Sequence, residues 1–164
     1  MNDQWAWIGL GSNLNHPNQQ LDRCLTELDQ HHALALHAQS KRYASKPLGP
    51  SDQPDFVNMA IKVYTKLAGE ALLDLLQDVE RLHHRERIRH WGERTLDLDL
   101  LLYGDQGKCI IATPRLSVPH PQITQRDFVL QPLIDLEGAE FMLEGHALGH
   151  HLAHCSERFI TQTF

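Results

Sequence analysis

The segment RTLDLDLLLYG, residues 94–104, has the composition of a buried strand, yet two aspartates interrupt its leucines. Successive side chains on a strand point to opposite faces, so Leu96, Leu98, Leu100 and Leu102 line one face. Thr95, Asp97, Asp99 and Leu101 line the other. The two Asp α-carbons are then roughly 6–7 Å apart on the same side. Carboxylates that close repel each other and lose hydration, and something must offset that cost. A solvated sheet face would do so. So would a divalent cation, since Mg2+ takes hard oxygen ligands, usually one or two carboxylates plus substrate phosphates. The all-leucine opposite face and Arg94 immediately upstream favour the cation.

The elements around this strand follow from periodicity. Residues 4–10 read as a strand ending in Gly11-Ser12-Asn13, and the glycines of GLGSNL are expected to form a tight strand exit. A helix should follow, capped by Asn15, with Pro17 in its first turn and Leu21, Cys24, Leu25 and Leu28 at helical spacing. Residues 34–43 form a second expected strand. SKPLGPSDQPD (45–55) is a proline-restricted loop. In FVNMAIKVYT, Val57, Met59, Ile61 and Val63 alternate with Phe56, Asn58 and Ala60. An amphipathic helix from about Gly69 to His83 carries Leu72, Leu75, Leu76, Val79 and Leu82. The order is β-α-β-β-α-β. This predicts an α+β, ferredoxin-like antiparallel sheet with helices on one face and a C-terminal extension, in one domain over residues 1–164.

Charge and cysteine content narrow the function classes. With 15 Lys plus Arg against 21 Asp plus Glu, the net charge of −6 argues against a nucleic-acid-coating role. Cys24, Cys109 and Cys155 are too widely spaced for a zinc pattern or disulfide framework, which fits a reducing compartment. The N-terminus has no basic n-region and the chain no membrane-spanning run. A monomeric cytoplasmic protein without membrane or nucleic-acid partners is expected.

Arg81, Arg85, Arg87, Arg89 and Arg94 make up a third of the 15 Lys and Arg residues in this acidic chain. A solvated loop is one reading, since Glu86 and Glu93 partly neutralise it. Arginine forks leading into Asp-x-Asp instead suggest a polyphosphate held between guanidinium groups and metal ions. No G-x-x-x-x-G-K-[ST] motif is present, and GLGSNL lacks the third glycine of a dinucleotide fingerprint. An ATP site here is of another kind.

GLGSNL, PLGPSDQPDFVN, RHWGERTLDLDLLLYG and VPHPQITQRDFVLQPLIDL together resemble the 6-hydroxymethyl-7,8-dihydropterin pyrophosphokinases of folate biosynthesis, over residues 5 to about 137. The resemblance implies transfer of pyrophosphate from ATP to the pterin hydroxymethyl group, with release of AMP. It implies that Asp97 and Asp99 hold two Mg2+ ions and that Arg85 and Arg94 contact phosphates, with Arg87 in the same loop. Gln77, Glu80, Trp91, Arg115, Ser117, His120 and Arg126 correspond to the nucleotide side. Without the resemblance His120, between two prolines, reads as a turn histidine. For the pterin, Asn58 has an amide that can both donate to and accept from a heterocycle edge. Phe56 and Phe128 resemble the aromatics that sandwich the ring; core packing is the alternative for either. Backbone groups near Ser45 and Leu48 complete the implied pocket.

The chain departs from the family pattern at Glu93, where proline is usual, and in a stretch between Glu80 and Trp91 that is one residue short against some relatives. Ser45 replaces a frequent threonine and Phe56 a frequent tyrosine. These changes bear on turnover and leave a low-activity paralogue open. His146, His150 and His154 recur every fourth residue, but Gly149 weakens the helix and no carboxylate or cysteine completes a metal motif, so a solvated face is expected. His31-His32 and His83-His84 read as helix-end residues. A non-catalytic ferredoxin-like binding module would need an RNP1-like run, which is absent, and Asp97/Asp99 would repel RNA. A two-metal phosphodiesterase would leave Phe56, Asn58 and the proline-rich loop unexplained.

Overall fold

β1 (Gln4–Ser12) is an inner strand of the sheet, and its alternation sets the two faces on which the rest of the chain packs. The computed structural model describes residues 3–83 and 95–164. After β1 come α1 (Pro17–Asp29), β2 (Leu34–Gln39), β3 (Tyr43–Ser45), β4 (Phe56–Thr65), α2 (Gly69–Leu82) and β5 (Asp97–Tyr103). β1 pairs antiparallel with β4 on one side and β5 on the other, while β2 and β3 both pair with β4. The strand expected over residues 34–43 is therefore two. Ser40 breaks it: its N–H donates to the Ala60 carbonyl and its Oγ accepts the Ala60 N–H, both at 2.9 Å, so a side chain takes over one rung.

α1 starts at Pro17 as its sequence predicts, but Asn15 does not cap it. Asn15 and His16 both adopt left-handed backbone, and the Asn15 carbonyl accepts a hydrogen bond from Gln20 Nε2 at 2.9 Å. α1 and α2 lay Leu21, Cys24, Leu28, Leu72, Leu76 and Val79 on Ile8, Leu10, Val57, Met59, Ile61, Val63, Leu98 and Leu100. Fully burying a leucine contributes about 1.5–3 kcal/mol, so this face anchors the fold. His83 stands at the end of α2 as expected, and it is buried, its ring contacting Gln20 Oε1 at 2.5 Å and Glu27 Oε2 at 2.9 Å.

The alternation of β5 is interrupted once. Ile8 pairs with Leu100 and Trp7 with Leu102, leaving Leu101 as an extra residue. The bulge inverts the faces beyond it, so Leu102 leaves the face of Leu98 and Leu100 and packs with Trp7. The expectation that Leu102 lies with Leu96, Leu98 and Leu100 fails for this reason.

The C-terminal extension runs through β6 (Ile111–Ala112), β7 (Ser117–Val118), α3 (Asp127–Glu137), β8 (Met142–Leu143), β9 (His146–Ala147), α4 (Leu148–Ala153) and β10 (Ile160–Thr163). It is a second layer. Leu130 and Leu133 of α3 and Leu148 of α4 form a core with Trp7, Ala60, Leu101 and Leu102. Helices on one face describes only α1 and α2; the apolar residues at one end of the second face recruit α3 and α4 there. At the other end Phe56, Asn58, Asp97 and Asp99 stay half-buried. Among the described residues no helix is long and apolar enough to cross a membrane.

Candidate active site

The half-buried end of the second face is built on two rungs across three strands. Gly11 of β1 lies between Asn58 of β4 and Asp97 of β5, and Gly9 lies between Ala60 and Asp99. Adjacent strands are about 4.8 Å apart, so Asn58 and Asp97 sit about 10 Å apart with a glycine between them. The glycines of GLGSNL are therefore not a strand exit. They lie inside β1 and keep its face low. A Cβ on Gly11 would fall 2.8 Å from Asn58 Oδ1 and 3.8 Å from Phe56 Cδ1, so the Asn58 amide leans over Gly11. Leu101, displaced by the bulge, lies over Gly9.

Asn58 is oriented from its own side of the sheet. Its Nδ2 donates to Ser45 Oγ at 2.5 Å, and Ser45 is fully buried on β3 opposite Phe56. The role expected of backbone near Ser45 is accompanied by one for its hydroxyl, which fixes the asparagine rotamer. Leu48 is half-buried in the loop that follows. That loop is tied down by Asn13, whose Nδ2 donates to Gln53 Oε1 and to the Pro54 carbonyl, each at 2.9 Å. Asn13 and Gln53 are both buried, and sequence reasoning passed over them. A polar pair flanking a Gly-rich strand and a proline loop was the available signal. Phe128, near the start of α3, is half-buried with the Arg126 guanidinium 5.8 Å from its ring centre.

On the other side, Asp97 and Asp99 form one electrostatic group with His120 and Arg126. Burial lowers the Arg126 pKa, and Asp99 and Asp97 oppose that shift. His120 is likewise pushed below the ordinary histidine value, first by burial and then by Arg126, with Asp97 opposing. The bulge helps place it, because the Leu101 carbonyl accepts the His120 N–H at 3.0 Å. Gln122 N–H donates to His120 Nδ1 at 3.3 Å, and Arg126 donates to Gln122 Oε1. Glu80 is buried, and its Oε2 accepts the backbone N–H of Leu98, the residue between the two aspartates, at 2.9 Å.

The remaining expected nucleotide residues are more peripheral. Gln77 and Ser117 are exposed, and Arg115 donates to Asp74 Oδ1 on α2 at 2.5 Å. Arg85, Arg87, Arg89, Trp91, Glu93 and Arg94 lie outside the described residues. The histidine series is not one helix face: His146 precedes α4, His154 follows it, and the rings stack at 4.2 and 4.1 Å. Among the described residues no three His, Cys, Asp or Glu side chains gather to hold a metal ion. The hard oxygens of Asp97 and Asp99 nonetheless suit Mg2+, which takes its other ligands from phosphate and water.

Comparison with known proteins gives one consistent result. The family model for 7,8-dihydro-6-hydroxymethylpterin-pyrophosphokinase matches residues 7–138. The 2-amino-4-hydroxy-6-hydroxymethyldihydropteridine pyrophosphokinase of Haemophilus influenzae is 49% identical over 131 residues, 80% of each chain. That of Pseudomonas aeruginosa is 43% identical over 152 residues, covering 93% of this chain and 92% of the relative. Among solved structures, a Plasmodium falciparum HPPK-DHPS superposes with a TM-score of 0.69 at 13% identity. It covers 93% of this chain, which spans 45% of that one, and the likeness establishes the fold. The chain belongs to the 7,8-dihydro-6-hydroxymethylpterin-pyrophosphokinase family.

Proposed function

We propose that the protein transfers the β,γ-diphosphate of ATP to the hydroxymethyl oxygen of 6-hydroxymethyl-7,8-dihydropterin, giving the pterin diphosphate and AMP. The observation that carries the proposal is the Asn58–Gly11–Asp97 rung. It sets an amide suited to a heterocycle edge one glycine away from a carboxylate pair, in a chain of this family. Family membership alone would not say which end of the sheet is used; the half-buried end that carries Asn58, Asp97 and Asp99 supports this choice.

In this reading Asn58, held by Ser45, reads the edge of the pterin, while Phe56 and Phe128 flank the ring. Leu48 and the loop fastened by Asn13 close the pocket. The hydroxymethyl group then points along the rung toward Asp97. Asp97 and Asp99 would hold Mg2+ together with triphosphate oxygens, which supplies Lewis acidity at the attacking hydroxyl and balances phosphate charge. Arg126 offers a fixed guanidinium to the phosphates, and His120 a neutral ring. Arg85 and Arg94 take phosphate roles by resemblance to the family. Gln77, Arg115 and Ser117 would meet the nucleoside, with Arg115 exchanging Asp74 for its ligand. The antiparallel sheet would hold the two substrates on the strands that flank β1, so attack gains from fixed proximity.

Carboxylates, Mg2+ and arginines serve attack at either phosphorus, so the product is the test. Phosphorus NMR of ATP, Mg2+ and the dihydropterin with this protein should show AMP and pterin diphosphate in equal amounts. Pterin-dependent ADP with a pterin monophosphate would overturn the proposal. No pterin-dependent turnover would instead point to the low-activity paralogue.

A further inference from the structure

The family model ends at residue 138, yet the chain beyond it returns to the candidate ring pocket. β10 pairs antiparallel with β3, with Ile160 opposite Ser45. The entry to β10 is fastened at three points. Asp127 Oδ2 accepts the backbone N–H of Phe159 at 2.9 Å and of Ile160 at 3.1 Å. The Phe159 carbonyl in turn accepts the Lys46 N–H at 2.8 Å, at the start of the proline-rich loop. The Phe159 ring, itself buried, stands perpendicular to Phe128 with centroids 5.6 Å apart.

These contacts join the two walls of the pocket through one residue. One wall is Ser45 with Asn58 and Phe56; the other is Phe128 on α3, next to Asp127. β3 and α3 are far apart in sequence, and Phe159 touches the segments that carry both. We propose that the C-terminal strap, through Phe159 and Asp127, is a positioning device that sets the spacing between these walls and so the fit of the pterin ring. Phe159 and Asp127 are positioning residues in this sense. The inference rests on the reading of Asn58 and Phe128 as the ring pocket.

The chemistry of Asp127 favours a dedicated clamp over incidental packing. A carboxylate only 2% exposed is costly to bury, and one oxygen of this one is spent on two strap amides. Among the described residues its Oδ1 has no hydrogen-bond partner. Asp127→Asn would keep an oxygen acceptor for the strap and place an amide nitrogen at the unpartnered position.

The test uses the full chain with Phe159→Leu, Asp127→Asn and Asp127→Ala. Each is titrated separately with a dihydropterin analogue and with a non-hydrolysable ATP analogue plus Mg2+, and amide exchange is followed at Lys46. Phe159→Leu keeps an apolar filling, so it should fold while losing the ring contact. The expected result is a loss of pterin affinity of about threefold to tenfold, the scale of one aromatic pair. Affinity for the ATP analogue should be unchanged, Lys46 exchange should be faster, and Asp127→Asn should stay closer to the unmodified protein than Asp127→Ala does. Equal losses for both ligands, or unchanged pterin affinity despite faster exchange, would overturn the proposal. An unmodified chain that binds no pterin would overturn the functional reading instead. The strap would then be judged by Lys46 exchange in Asp127→Ala, where unchanged protection overturns it and acceleration supports it.

Discussion

The buried carboxylate of Glu80 accepts the backbone N–H of Leu98 at 2.9 Å, joining α2 to the one residue that separates Asp97 from Asp99. Among the described residues β5 is an edge strand of the sheet, so without Glu80 this N–H has no strand there to pair with. The contact gives Glu80 a task beyond the nucleotide role that its position in the family pattern suggests. Glu80→Ala should cost about 1.5–3 kcal/mol in urea unfolding, the worth of a hydrogen bond to a charged group, and lower Mg2+-dependent turnover with it. Glu80→Gln retains an acceptor and should recover most of both. If both variants keep full stability and lose ATP affinity alike, Glu80 serves the nucleotide and not the strand.

Asp97 and Asp99 should separate activity from stability. Both are half-buried near Arg126, so removing one carboxylate relieves repulsion between the pair but also weakens attraction to the guanidinium. These effects oppose each other, and partly exposed charge pairs are worth about 0–1 kcal/mol. Asp97→Asn or Asp99→Asn should therefore shift the urea midpoint little. Turnover should fall by about a hundredfold or more, the scale of losing one preorganised charge-stabilising group. A variant with near-normal Mg2+-dependent AMP release would refute the metal assignment.

How far these residues were legible in the sequence depended on how local their signals were. Val57, Met59, Ile61 and Val63 announced β4 because alternation needs only one strand, and α2 was visible from its leucine spacing. Asp97 and Asp99 were conspicuous because carboxylates are costly in a leucine strand. The bulge at Leu101 was invisible, since it is set by Trp7 and α3 packing on the second face. Asn13 and Gln53 lie 40 residues apart, and neither alone suggests a buried pair. Ser40 reads as an ordinary strand residue until its hydroxyl is seen to replace a backbone rung. Gly11 was misread because its purpose lies in side chains of another strand, Asn58 and Phe56 of β4.

That purpose gives a direct test of the ring pocket. Alanine fits a strand backbone without strain, so Gly11→Ala should leave the thermal midpoint close to that of the parent. Its Cβ, however, would meet Asn58 Oδ1 at 2.8 Å and must push the amide off the position set by Ser45. Pterin affinity should drop by about 1–3 kcal/mol, as when a buried polar edge loses its partners, and Asn58→Ala should give a similar loss. The double variant should lose little more than either single one, because both act through the same amide. Calorimetry with pterin and ATP analogues would check this; equal weakening of both ligands would mean that Asn58 is structural.

His120 should leave a signature in the pH dependence of stability. Its pKa is lowered in the folded protein, chiefly by burial and then by Arg126, with Asp97 opposing. The hydrogen bond from Gln122 N–H to Nδ1 has the same sense, since a protonated Nδ1 cannot accept it. The folded chain thus binds fewer protons at this site than the unfolded chain, in which histidine titrates near about 6.5. The contribution is fully present above that value and is lost as the pH falls through the lower folded pKa. Urea midpoints measured in a chelator, between about pH 7.5 and about pH 5, should therefore decline more steeply for the parent than for His120→Asn, which keeps an acceptor but does not titrate. The His120 ring-proton resonance should move at a pH below that of an exposed histidine. An equal or steeper decline in the variant would show that His120 is not held neutral by its surroundings, and would remove it as the neutral ring beside the phosphates.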